Sequence, residues 1–214
     1  MANNGNVPTP RVIVLDIGNV LVGLDWSRPA ARIKHLFPQA VDPAGAFRRL
    51  DGPSARYGLG LITTEEFLAQ ARQELGLDLD QATFISLWND IFVERPYMLP
   101  FLRELREQGH ILAICSNTNP LHIEFLQSFS ACFAEIHHLI FSHVAHAYKP
   151  DLAIYRAVEA ATGQSAAEHL FLDDLPENVA GARAAGWDAI CFETPEQAQQ
   201  ELLARRIRFT PWKL

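Results

Sequence analysis

The 214-residue sequence contains no run of about 18 apolar residues, so no segment has the length and apolarity of a membrane-spanning helix. Positive charge is scarce and scattered: the formal net charge is −7, and the one short basic stretch, Arg205-Arg206-Ile207-Arg208, reads as a solvated helix end. Nucleic acid and anionic membrane surfaces reward clustered Lys and Arg, so neither is expected as a partner. Cysteine is also rare. Cys115, Cys132 and Cys191 cannot all pair, and Cys115 and Cys191 stand in apolar strand-like runs where a thiol acts as a small hydrophobe. A disulfide framework is therefore not expected, and a reducing cytoplasm is the expected setting. The opening stretch, Met1 to Pro10, is polar and rich in Pro and Asn; it is expected to be a loose tail rather than a signal peptide or membrane anchor. Neither an internal repeat nor a low-complexity segment occurs.

What is present is a globular balance, 49% apolar and 20% charged, over a length sufficient for one packed core and a modest insertion. Short apolar runs alternate with helix-length amphipathic segments. Val12–Leu15, Ile111–Cys115, Leu139–Phe141, Leu170–Leu172 and Ala189–Phe192 are the expected strands. Helices are expected at about 96–108, 119–128, 151–162, 177–185 and 195–205, with Gly109, Gly163 and Gly186 as stop signals. This alternation predicts an α/β fold with a doubly wound parallel sheet, each helix a right-handed crossover.

Residues 24–94 break the rhythm. They hold no convincing strand and read as three or four helices, with breaks near Pro38, Asp42-Pro43, Gly52-Pro53 and Gly58-Leu59-Gly60. Thr63 or Thr64 starts one of them, with Glu66 placed for a capping box. The expected organisation is a core of residues 11–23 and 95–214 with a small helical cap domain, 24–94, inserted after the first strand.

In an open parallel sheet, ligands bind beyond the carboxyl ends of the strands. Asp16 ends the run Val12-Ile13-Val14-Leu15, Ser116 and Asn117 follow Ile111–Cys115, and Asp173-Asp174 follow Leu170-Phe171-Leu172. Lys149-Pro150 opens the helix beginning at Asp151. A carboxylate, a hydroxyl, a cation and an acidic pair would thus converge. Adjacent like charges at a strand end are costly without a cation or lysine nearby.

The segments Asp16-x-Gly18-Asn19-Val20-Leu21-Val22, Ser116-Asn117-Thr118-Asn119, Lys149-Pro150-Asp151 and Asp173-Asp174-x-x-x-Asn178 resemble the four motifs of the haloacid dehalogenase-like hydrolase superfamily, in the same order and strand context. The likeness covers nearly the whole chain. The Gly-Asn form of the first motif resembles the branch containing alpha-D-glucose-1-phosphate phosphatases. The resemblance implies that Asp16 is a nucleophile forming an aspartyl-phosphate with a small phosphorylated substrate. It implies Mg²⁺ held by Asp16, the Gly18 carbonyl and Asp174, with Asp173 in support. Ser116 and the Asn117 N–H would hold phosphate oxygens, Lys149 would offset the crowded negative charge, and Asn178 would orient Lys149 or a metal-bound water.

One position departs from the family. Most phosphatases of this superfamily carry at the place of Gly18 a second Asp that protonates the leaving oxygen. Such a group is typically worth about 10²- to 10⁴-fold. Its absence implies either substrates with good leaving groups, such as sugar 1-phosphates or acyl phosphates, or an acid delivered by the cap. Two alternatives share the gap: a 2-haloacid dehalogenase, which uses the same Asp on carbon without metal, and a catalytically silent binding or regulatory protein.

In the cap, Trp26, Arg48, Arg49, Arg56, Tyr57 and Trp88 suit a phosphorylated sugar or nucleotide, but such residues on short helices are more often surface or packing residues. His137, His138, His143 and His146 invite a zinc reading, yet no cysteine pair accompanies them at ligand spacing, and a structural role is expected.

Overall fold

The computed structural model describes residues 10–37, 42–76 and 78–213. The expected tail falls almost wholly outside these ranges, as does the break at Pro38. The strands are β1 (Val12–Leu15), β2 (Gly23–Leu24), β3 (Phe92–Val93), β4 (Ile111–Ser116), β5 (His138–Phe141), β6 (His169–Asp173) and β7 (Asp188–Cys191). Five of them form one sheet in the order β5-β4-β1-β6-β7, every pairing parallel. The chain builds outward from β1 on one side through β4 and β5 and on the other through β6 and β7, so β1 lies at the switch point where ligands bind.

All four residues of β1 are fully buried. A central parallel strand is covered on both faces, which is why the run is uniformly apolar. Ile13 and Leu15 point to one layer, with helices α6 (Met98–Glu107), α7 (Pro120–Phe129) and α11 (Pro195–Ala204). Val12 and Val14 point to the other, with α9 (Leu152–Thr162) and α10 (Pro176–Ala184). A fully buried Val or Leu side chain stabilises by roughly 1.5–3 kcal/mol. Local signals set the helix ends: Asn119 accepts from His122 N to start α7, and Gly163, at φ 66°, ends α9 in the left-handed conformation. No helix among the described residues is long and apolar enough to cross a membrane.

The chain between β2 and β3 holds α1 (Ser27–Leu36), α2 (Pro43–Arg48), α3 (Asp51–Gly58), α4 (Thr64–Leu75) and α5 (Gln81–Asn89). These pack around Phe67, which stacks on Tyr57 at 4.5 Å and meets Trp88 at 5.2 Å. Thr63 caps α4 in a capping box with Glu66. Two expectations are corrected here. Leu24 and Phe92–Val93 form an antiparallel ribbon through which the chain leaves and re-enters the core; two-residue strands leave no alternation to read. The break expected around Gly52-Pro53 falls two residues earlier, at Arg49 and Leu50, and Pro53 lies in the first turn of α3, where Pro is tolerated because its missing N–H has no partner to lose.

Candidate active site

Parallel pairing aligns the ends of β1, β4 and β6, so that Asp16, Ser116 and Asp173 emerge at one edge. All three are buried, with Asp16 only 8% exposed. Lys149 enters from the loop after α8 (Ser142–Ala145). Its Nζ lies 2.6 Å from Asp173 Oδ2 and 2.8 Å from Asp16 Oδ1, and 5.3 Å above the Phe171 ring. Burial opposes the ammonium charge, but the coulombic pull of Asp16 and Asp173 outweighs it and holds the Lys149 pKa above its ordinary value. Burial raises the Asp16 carboxyl; Lys149 pulls it down, and Asp173 adds to the rise, leaving it above the usual range. Cys115, buried behind the pair, has its thiol pushed up to about 12 chiefly by burial and is inert.

Asparagines surround this centre. Asn117 brackets the Lys149 backbone, accepting from its N at 2.8 Å and donating to its O at 3.0 Å. Asn178 donates to Asp173 Oδ1 at 2.9 Å, so it acts on Lys149 only through Asp173. Asn19, held at φ 54°, donates to Asp174 Oδ2 at 2.9 Å and accepts from Leu24 N. Asn19 stands in the first motif but carried no expected role; its signal is the turn position after glycine, which Asn tolerates.

Asp16, Asp173 and Asp174 offer oxygens within 4.8 Å of one another, the one such group among the described residues. The histidines gather nowhere: His137 Nδ1 accepts from Leu112 N, and His143 and His146 bond carbonyls of Thr118 and Leu59. Within the acidic group the duties differ. Asp173 is fully engaged, with Lys149 on Oδ2 and Leu175 N and Asn178 Nδ2 on Oδ1. Asp16 Oδ1 is buried and faces Lys149 at 2.8 Å in an ion pair. Three carboxylates around one ammonium leave two negative charges to balance. An oxygen-rich set with that charge fits a divalent cation such as Mg²⁺, with Asp16 and Asp174 free to ligate it.

Gly18 bridges to Val22 in the turn after Asp16. A Cβ at this position would lie 2.9 Å from Leu24 Cδ1, so an apolar side chain from the ribbon lies against the turn after Asp16.

Above Asn117 and Lys149 opens a cavity of about 440 Å³, walled by Trp26, Asp51, Ser54 and Trp88 of the insert and by His122 and Tyr148 of the core. An adjoining cavity of about 430 Å³ extends past the same insert residues to Phe47 and Arg48. Of the aromatic and basic residues singled out in the insert, Trp26, Arg48 and Trp88 line this cleft. Tyr57 does not: it is buried, and its hydroxyl accepts from Leu121 N. Arg49 donates to the carbonyls of Glu74 and Leu75. Asp51, Ser54, His122 and Tyr148 went unrecognised in the sequence, because nothing in a helical pattern says which face meets a distant loop.

The profile of the haloacid dehalogenase-like hydrolases matches residues 10–186. The chain belongs to this family. Its relatives include both dehalogenases and a phosphatase. The (S)-2-haloacid dehalogenase of Pseudomonas sp. (strain YL) is 32% identical over 126 residues, 58% of this chain and 54% of that protein. A phosphatase of Mycobacterium tuberculosis (strain CDC 1551 / Oshkosh) is 27% identical over 206 residues, 87% of this chain and 89% of that one. The chain thus spans little more than half the length of the dehalogenase. Among solved structures, a haloacid dehalogenase family enzyme of Bacteroides thetaiotaomicron superposes with TM-score 0.77 at 25% identity, covering 86% of this chain and 93% of that one. The same enzyme in complex with magnesium and inorganic phosphate gives 0.75 at 26%, covering 85% and 93%.

Proposed function

We propose that this hydrolase is a Mg²⁺-dependent phosphatase of small organophosphates, with sugar 1-phosphates the leading class. The observation that carries the reading is the division of labour in the acidic trio. Asp173 is spent on Lys149 and the start of α10, while Asp16 and Asp174 keep open oxygens beside it. A dehalogenase, which binds a small carboxylate without metal, gains nothing from two surplus negative charges. The kinship with a mycobacterial phosphatase over most of both chains, and with a fold that takes up magnesium and phosphate, supports the same choice.

In this reading Asp16 attacks phosphorus, forming an aspartyl-phosphate that water hydrolyses. Ser116 and the Asn117 N–H hold phosphoryl oxygens, and Lys149 keeps nucleophile and phosphate from repelling each other. Mg²⁺, when bound by Asp16, the Gly18 carbonyl and Asp174, offsets the charge that develops on the phosphoryl oxygens. Asp173 and Asn178 position Lys149. A sugar ring would find a stacking surface on Trp26, 48% exposed, and a hydroxyl partner in Ser54.

Dehalogenation is the second reading, favoured by the 32% identity to haloacid dehalogenases and by the apolar side chain against Gly18. Phosphate release with Mg²⁺ and with chelator, set against chloride release from 2-chloropropionate and with Asp16→Asn as blank, separates the two. Metal-dependent phosphate release that disappears in Asp16→Asn is expected; chloride release alone would overturn the phosphatase reading, and silence in both assays would leave a binding protein.

A further inference from the structure

Gly18 has no side chain and Leu24 lies against the turn after Asp16, so the core offers no proton donor to a leaving oxygen there. For any leaving oxygen that needs a proton, the donor would come from another wall of the cleft. The titratable groups lining the cavity over Lys149 are Asp51, His122, Tyr148 and Lys149 itself, and Arg48 faces Asp51 across the adjoining cavity. Four of these five are committed elsewhere. His122 donates from Nε2 to Trp88 O at 3.2 Å and accepts at Nδ1 from Asn119, with burial pressing its pKa down to about 4. The Tyr148 hydroxyl donates to Ala55 O at 2.8 Å. Lys149 is held by two carboxylates and Arg48 by Asp42 at 3.0 Å. Asp51 makes no hydrogen bond or ion pair with any described residue, so both its oxygens are free to carry a proton.

Asp51 is exposed at the start of α3, and the helix that bears it is seated firmly. The C-terminal half of α3 is tied to the core: Ser142 Oγ donates to Gly58 O at 2.6 Å, Tyr148 to Ala55 O and His146 to Leu59 O. Tyr148 precedes Lys149 in the chain, so one short loop holds both the ammonium beside Asp16 and the helix that bears Asp51. Asp51 lies one helical turn, about 5–6 Å along the axis, beyond the Ala55 carbonyl that Tyr148 grips. Ser54 and Ala55 continue the same face into the cleft.

We propose that Asp51 is the acid–base group of this site, supplied by the insert in place of a neighbour to the nucleophile. The proposal rests on the phosphatase reading. In the first step the Asp16 Oδ–P bond forms, the ester P–O bond breaks, and the proton of the Asp51 carboxyl passes to the leaving oxygen. In the second, water forms a P–O bond as the Asp16 O–P bond breaks, and a proton of that water returns to the Asp51 carboxylate. A direct contact or one bridging water suffices for either transfer.

The test compares wild type, Asp51→Asn and Asp51→Glu in the full chain with Mg²⁺, over aryl phosphates of graded leaving-group acidity and alkyl phosphates such as sugar 6-phosphates. Asp51→Asn is expected to lower kcat/KM on alkyl esters by about 10²- to 10³-fold and to leave it nearly intact on the most acidic aryl esters. On those aryl esters kcat falls because hydrolysis of the phosphoenzyme lacks its base, and phosphorylated Asp16 accumulates as a mass gain in acid-quenched protein. Asp51→Glu recovers part of the alkyl activity. An equal loss of kcat/KM across the series, or a rise in KM without phosphoenzyme, would make Asp51 a substrate reader and overturn the proposal. An Asp51→Asn variant indistinguishable from wild type overturns it too. Wild type inert with Mg²⁺, or Asp16→Asn still active, is a different failure: it removes the phosphatase reading and this proposal with it.

Discussion

Lys149 sits closer to Asp173, at 2.6 Å, than to Asp16, at 2.8 Å. Both carboxylates hold the ammonium, and Asp173 alone is also engaged by Leu175 N and the Asn178 amide.

That asymmetry should appear in stability. Asp173→Ala strips an acceptor from Lys149, Leu175 N and the Asn178 amide together, leaving a buried charge half-paired. Removing one partner of a buried pair costs about 3–5 kcal/mol, and chemical denaturation should show a loss in that range. Asn178→Ala should cost less, because Asp173 keeps two of its three donors.

Asp16→Asn should cost less than Asp173→Ala. A carboxyl raised in the folded state binds protons more tightly there than in the unfolded chain, so above the usual carboxylate range its ionisation costs folding free energy. Losing that charge also leaves the Lys149 ammonium with Asp173 alone, so the metal-free Asp16→Asn variant is expected to lose less stability than Asp173→Ala rather than to match it. Added Mg²⁺ should raise the wild-type Tm and raise that of Asp16→Asn or Asp174→Asn less. An Asp16→Asn protein destabilised as much as Asp173→Ala would contradict this account.

His122 links the core to Trp88 O of α5, stacks on the Trp88 ring at 5.1 Å, and is favoured neutral. Because its folded pKa is lowered to about 4, the unfolded chain takes up the proton first as pH falls. The stabilisation is complete above the ordinary histidine value of about 6.5 and is lost between there and about pH 4. Thermal melts across this window should fall with pH in wild type and fall less steeply in His122→Leu.

Gly18→Asp brings a Cβ to 2.9 Å from Leu24 Cδ1. Cδ1 is the free end of a flexible, half-buried side chain that can swing aside, so the cost is expected at the low end of overpacking, about 1 kcal/mol or less. Leu24→Ala opens the space, so the double variant should recover much of the stability lost by Gly18→Asp alone. If the two losses simply add, Leu24 is not what fills the position.

Much of this was legible before any coordinates. Val12–Leu15 declares itself a central strand because a strand covered on both faces has no polar side to show, and Asp16 then marks its end. Asp173-Asp174 announced a need for cations. What stayed hidden depends on distance in sequence. Asn117 brackets a backbone 32 residues away, and Asp51 meets Lys149 across a cavity that no periodicity encodes. The β2–β3 ribbon, two residues on each side, is too short to leave a pattern.

The bonds that dock α3 on the core have a common form: serine, tyrosine and histidine side chains of the core each address a main-chain oxygen of the insert. Every residue type presents that oxygen. Substitution along the cleft-facing side of α3 can therefore alter what is recognised without loosening how the helix is seated, except at Gly58, where a Cβ would fall 2.1 Å from the Tyr148 hydroxyl. Apart from Asp51, the fold thus separates how this helix is attached from what its cleft-facing side chains present, with Gly58 the fixed point of the attachment.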